Sequence, residues 1–131
     1  MNIALWILQI LLGVYFIFVG VNHFIIPPGL PDAMSWMYEL PTWLHVFSGA
    51  AEILAGLGLI LPGLFKYQTR LVPLAAAGLV LVMIGAIVWH LSRGEFANIF
   101  MNLILALLAA FVAYGRWRLS PLQDRDRTAP A

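Results

Sequence analysis

Four side chains in this sequence have the chemistry to hold and pass a proton within an apolar setting: Glu52, His23, His45 and His90. Glu52 stands in a run of small and aliphatic residues, Ser48-Gly49-Ala50-Ala51-Glu52-Ile53-Leu54-Ala55-Gly56. A carboxylate at the centre of a membrane span costs about 2.5–3.5 kcal/mol or more, so Glu52 is expected to be protonated or partnered, and it is a site hypothesis by default. His45, Ser48 and Glu52 follow i, i+3, i+7 and share one helix face. Asn22 adjoins His23, Trp89 adjoins His90, and Asn98 and Asn102 share a face of a later helix. Glu52 and His90 are the candidate catalytic groups. His23, Asn22, His45, Ser48, Trp89, Arg93, Glu95, Asn98 and Asn102 are the candidate ligand-binding residues, and no metal site is assigned.

The elements that must position these groups are membrane helices. The chain has 131 residues, of which 63% are hydrophobic and 10% charged. Its mean hydropathy is +0.93. A soluble domain carries roughly 25% charged residues, so water cannot cover this one. Apolar runs at Ile3–Ile26, Trp43–Leu61, Leu71–Leu91 and Phe96–Tyr114 each approach the roughly 20 residues that a helix needs to cross hydrocarbon. Only a helix satisfies its own backbone groups there, which predicts an all-α bundle of four transmembrane helices. The first run lacks a basic start and a small-residue cleavage site, so it reads as a span rather than a signal peptide. Residues 1–118 form the predicted transmembrane domain, and 119–131 a polar, disordered tail.

Six of the seven Lys and Arg residues (Lys66, Arg70, Arg116, Arg118, Arg125 and Arg127) fall on one side of this topology, and Arg93 falls on the other. The positive-inside rule makes that side cytoplasmic, with both termini in the cytoplasm of a cell whose plasma or inner membrane the chain crosses. All three histidines then lie at the outer level. The cytoplasmic halves hold little that is polar beyond Gln9 and Tyr114. Pro62-Gly63 and Gly94 read as helix stops, and Arg116-Trp117-Arg118 as an interfacial anchor. In the first outer loop, 27–42, Asp32 is placed to cap a short interfacial helix with Ala33, Trp36, Met37 and Leu40 on one face. Glycine pairs seven residues apart, Gly13/Gly20, Gly49/Gly56 and Gly78/Gly85, predict close helix contacts in three spans.

Plainer roles exist for each residue. Histidines at span ends are often interfacial, Asn98 and Asn102 could join helices, Glu52 could be a protonated structural donor, and Trp36, Trp43 and Trp89 suit an aromatic belt. The case for function rests on convergence: three spans bring imidazoles to one level above one carboxylate.

Gly20-Val21-Asn22-His23-Phe24, the Ser48–Gly56 segment and Gly85-Ala86-Ile87-Val88-Trp89-His90-Leu91-Ser92-Arg93-Gly94-Glu95, followed by Asn98-Ile99-Phe100 and Tyr114-Gly115-Arg116-Trp117, resemble the DoxX-like family over about Leu5 to Trp117. The resemblance implies a four-helix membrane protein. It also implies a possible link to quinone-dependent oxidoreductases and oxidative-stress complexes, or to receptor and assembly roles. On it, His23, Glu52, His90, Arg93, Glu95 and Asn98 carry over as site residues. Related membrane proteins use cysteine pairs. This chain has no cysteine, so a dithiol mechanism within it is excluded.

Three functions remain open from sequence. One is a redox-associated protein that binds a quinone or similar apolar ligand in the outer half of the bundle. Another is a non-catalytic scaffold, assembly factor or transporter. The third is ligation of haem or a metal by His23, His45 and His90. Expected partners are lipids, with a second copy or an oxidoreductase subunit, and the net charge of +1 argues against nucleic acid. The topology is checked by reporter fusions: one placed after Arg118 is expected to read cytoplasmic and one inserted near Gly29 external, and the reverse pattern overturns the orientation.

Overall fold

The computed structural model describes residues 1–125. Four long helices, α1 (Asn2–Phe24), α2 (Thr42–Phe65), α3 (Leu71–Ser92) and α4 (Phe96–Tyr114), form the bundle. A short 3-10 helix (Asp32–Tyr38) lies between α1 and α2, and a π-helical turn (Gly115–Leu119) ends α4. All four long helices are long and apolar enough to cross a membrane. Leu5, Leu12, Phe16, Leu59, Val72, Ala76, Leu79, Met83 and Val112 make the core, while Ile3 (75% exposed) and Leu81 (71%) turn outward. Apolar side chains this exposed suit lipid, which is as apolar as they are. The two ends of the bundle differ. Asn2 and Arg116 share one, here the basic end, and the three histidines lie at the other.

Close packing of α1 on α2 depends on glycine. A Cβ at Gly20 would meet the Gly49 carbonyl at 2.8 Å, and one at Gly56 would meet the Gly13 carbonyl at 2.7 Å. Four of the expected glycines therefore bring two backbones together. The third pair does not. A Cβ at Gly78 or Gly85 would meet nothing within 4 Å, so no neighbouring helix approaches α3 closely at these two positions.

Two other expectations change. Pro62 lies inside α2, which continues to Phe65 and ends with Lys66 in the left-handed region (φ 52°). A proline removes one helical hydrogen bond and leaves the chain free to continue where that loss is tolerated. Asp32 caps nothing: the 3-10 helix follows Pro31, and no side chain closes its start. The described part of the expected tail makes contacts with the α2–α3 turn. Asp124 Oδ1 accepts from the Thr69 amide (2.9 Å) and hydroxyl (2.6 Å), and the Arg125 amide donates to the Lys66 carbonyl (2.7 Å). Those bonds from Thr69 hold the Asp124 carboxyl below its usual range. Residues 126–131 of the expected tail lie outside the described residues.

Arg116 is not an interfacial anchor but a buried tie. It is 2% exposed, because the π turn, closed by the Ser120 amide donating to the Gly115 carbonyl at 2.7 Å, carries it inward. Its Nε donates to Gln9 Oε1 at 2.5 Å, and its Nη1 to Asn2 Oδ1 at 2.7 Å and the Ser120 carbonyl at 2.9 Å. Gln9 in turn donates to the Leu59 carbonyl at 2.9 Å. One guanidinium thus links α1, α2 and the end of α4.

Two substitutions test this packing. Gly56→Leu is expected to lower stability by about 1–3 kcal/mol through overpacking, whereas Gly85→Ala leaves it unchanged, read by thermal unfolding in detergent. Gln9→Leu removes a hydrogen bond to a buried charge and is expected to cost about 1.5–3 kcal/mol in the same measurement.

Candidate functional site

At the histidine end, α1 and α2 build a polar chain within an apolar wall. Glu52 lies ten residues into α2, about 15 Å along the helix. Its side chain is 6% exposed. The close approach at Gly20 and Gly49 brings His23 across from α1, so that His23 Nε2 stands 3.4 Å from Glu52 Oε2. That distance is not a formed hydrogen bond, and Glu52 Oε2 is a buried oxygen with no hydrogen-bond partner among the described residues. His23 Nδ1 meets His45 Nδ1 at 2.8 Å, and His45 Nε2 donates to the Met37 carbonyl at 2.8 Å. The chain runs from the middle of α2, through α1, back to the start of α2, and ends on the backbone of the 3-10 helix.

That short helix is the cover of the site. Met37 is buried, and Tyr38 closes the loop on itself by donating to the Pro27 carbonyl (2.8 Å) while accepting from the Leu30 amide (3.1 Å). Trp36 is wedged between the two halves of the bundle, with ring centroids 6.2 Å from His23, 5.0 Å from His90 and 6.3 Å from Trp89.

A second cluster forms at the α3–α4 turn. Gly94 takes φ 70° there, a left-handed conformation that glycine adopts without strain. The turn brings Glu95 back to His90, whose Nδ1 donates to Glu95 Oε1 at 3.1 Å. Arg93 Nε donates to the same oxygen at 2.9 Å, and its guanidinium pairs with Glu39 and lies 4.7 Å over the Trp89 ring. Arg93 therefore fastens the covering loop to the far half of the bundle. It does not dip toward Glu52.

The expected site residues thus divide. Glu52, His23 and His45 meet, and His90, Arg93, Glu95 and Trp89 meet, with Trp36 between the groups. Glu52 takes its imidazole neighbour from His23. It does not take it from His90, the other expected catalytic residue, nor along the stripe through Ser48. Asn22, Ser48, Asn98 and Asn102 are half-buried, and their side chains make no hydrogen bond among the described residues. The geometry does not suit ligation of haem or a metal by the three histidines. His23 and His45 turn nitrogens on each other, His45 spends its second nitrogen on a carbonyl, and no group of three His, Asp or Glu among the described residues could hold a metal ion. Sequence reasoning passed over Met37, Glu39 and the bridging place of Trp36. A backbone carbonyl leaves no trace in residue type, and a tryptophan in a loop beside the spans reads as belt.

No curated protein and no solved structure matches the chain. The family model of the DoxX-like family matches residues 7–112, which contain every residue of both clusters. This integral membrane protein, a bundle of four apolar helices with a covered polar site at one end, belongs to the DoxX-like family.

Proposed function

We propose that this protein is a redox-associated membrane protein whose covered site holds an exchangeable proton on Glu52 and binds a quinone or similar apolar ligand beneath the 3-10 helix. One observation carries the reading: Glu52 Oε2 is buried, lacks a hydrogen-bond partner among the described residues and faces an imidazole at 3.4 Å. A buried polar group without a partner costs about 1–3 kcal/mol, and its retention points to a role. Quinone recognition asks for an apolar slot, hydrogen bonds to carbonyl oxygens and a proton donor close by. Trp36 and Trp89 supply flat apolar faces, and the Glu52–His23 pair supplies the proton. With no cysteine in the chain, electrons come from the ligand or from a partner oxidoreductase subunit. The distribution of Lys and Arg supports a basic end in the cytoplasm and a site on the outer side of a plasma or inner membrane.

A second reading, a non-catalytic scaffold or assembly factor, is favoured by one feature. An apolar groove of about 360 Å³ runs between α2 and α3, lined by Ala51, Ala55, Gly58, Ala75 and Gly78 among others. Small residues of this kind admit another helix in lipid.

Protein in nanodiscs titrated with a short-chain ubiquinone decides between them. The expected result is saturable quenching of tryptophan emission, weakened about tenfold in affinity by Trp36→Leu. Infrared spectra are expected to show a protonated-carboxyl band that Glu52→Gln removes without lowering thermal stability. Absence of saturable quenching overturns the quinone reading, and a band untouched by Glu52→Gln overturns the role of Glu52.

A further inference from the structure

The contact between His23 and His45 joins Nδ1 to Nδ1 at 2.8 Å. At that distance one nitrogen carries hydrogen and the other is bare, since two N–H groups clash and two lone pairs repel. Which is which follows from the far side of His45. The Met37 carbonyl 2.8 Å from His45 Nε2 can only accept, so Nε2 carries the hydrogen of His45. A neutral imidazole carries one hydrogen, and among the described residues no carboxylate contacts His45 to favour a second. His45 Nδ1 is therefore bare, and the hydrogen between the rings sits on His23 Nδ1. Neutral His23 then presents a bare Nε2 to Glu52 Oε2.

We propose that His45 is a positioning residue, held by the Met37 carbonyl, which fixes the tautomer of His23 so that His23 Nε2 shares one proton with Glu52. This inference rests on the reading of Glu52 as proton-holding. The step is a transfer of that proton alone. The Glu52 Oε2–H bond breaks as the His23 Nε2–H bond forms, leaving carboxylate against imidazolium, and the reverse restores two neutral groups. Nothing is oxidised or reduced. The chain stops at Met37, because an amide carbonyl cannot take the proton onward. While the 3-10 helix is seated, the shared proton is trapped, and its exchange with water requires the cover to lift, breaking the Arg93–Glu39 pair and the bond from His45 to the Met37 carbonyl.

The chain has three histidines, so 15N spectra of histidine-labelled protein in nanodiscs, assigned with His90→Gln, read the tautomers directly. The wild type is expected to show hydrogen on His23 Nδ1 and on His45 Nε2. His45→Gln, whose amide can both donate to Met37 and accept from His23, is expected to keep hydrogen on His23 Nδ1. His45→Leu, which can do neither, is expected to move the dominant hydrogen of His23 to Nε2. A bare His23 Nδ1 in the wild type overturns the proposal, as does a His45→Leu spectrum with His23 unchanged. If His45→Leu does not fold, the wild-type and His45→Gln spectra still decide. Since the spectra contain no quinone, failure of the quinone titration leaves this result standing, and failure here leaves that titration standing.

Discussion

The approach of α1 to α2 through Gly13, Gly20, Gly49 and Gly56 is the constraint on which the site depends. In lipid no hydrophobic force drives helices together, so packing at van der Waals distance has to supply the association. Here a Cβ at Gly49 would meet not only the Gly20 carbonyl at 2.8 Å but also His23 Cβ at 2.9 Å. The glycine that admits the neighbouring backbone also seats the histidine. A bulkier residue at Gly20 or Gly49 would hold α1 away, draw His23 back from Glu52 and leave the carboxyl alone in hydrocarbon. Stability of the bundle and chemistry of the site therefore depend on the same few backbone contacts.

The two ends handle buried polarity in opposite ways. At the basic end, Arg116 is surrounded by Gln9, Asn2 and the Ser120 carbonyl, acceptors that satisfy a permanent cation and leave little to exchange. At the histidine end, Glu52 Oε2 has no hydrogen-bond partner among the described residues, and the imidazole of His23 stands 3.4 Å away. The first arrangement closes the bundle. The second retains an unsatisfied atom among the described residues. Between them lie Leu12, Phe16, Leu59 and Leu79, a core of buried apolar side chains.

The covering loop joins the halves of the molecule. Its backbone receives the hydrogen of His45, Trp36 packs edge-on against His90, and Glu39 takes Arg93 from the α3–α4 turn. Displacing it would disturb the tautomer chain and the charged cluster together. A loop of this kind, exposed over much of its length and held by few bonds, belongs to the less stable part of a fold.

Four spans, their order and the level of the three histidines could be read from sequence, because hydropathy and helical rise act along the chain and need no knowledge of neighbours. Glu52 could be singled out for the same reason: a carboxyl ten residues into an apolar helix has to be accounted for wherever the helix packs. Sequence also suggested glycine packing, yet equal spacing marked three pairs where two are used. Periodicity gives a face, and only the bundle decides which face meets a helix and which meets lipid. Tertiary structure alone chose His23 over His90 as the neighbour of Glu52, turned Arg93 to Glu39, and drew Arg116 inward on a π turn. These choices depend on distances of 3–4 Å between segments far apart in the chain, and residue type carries no record of such distances.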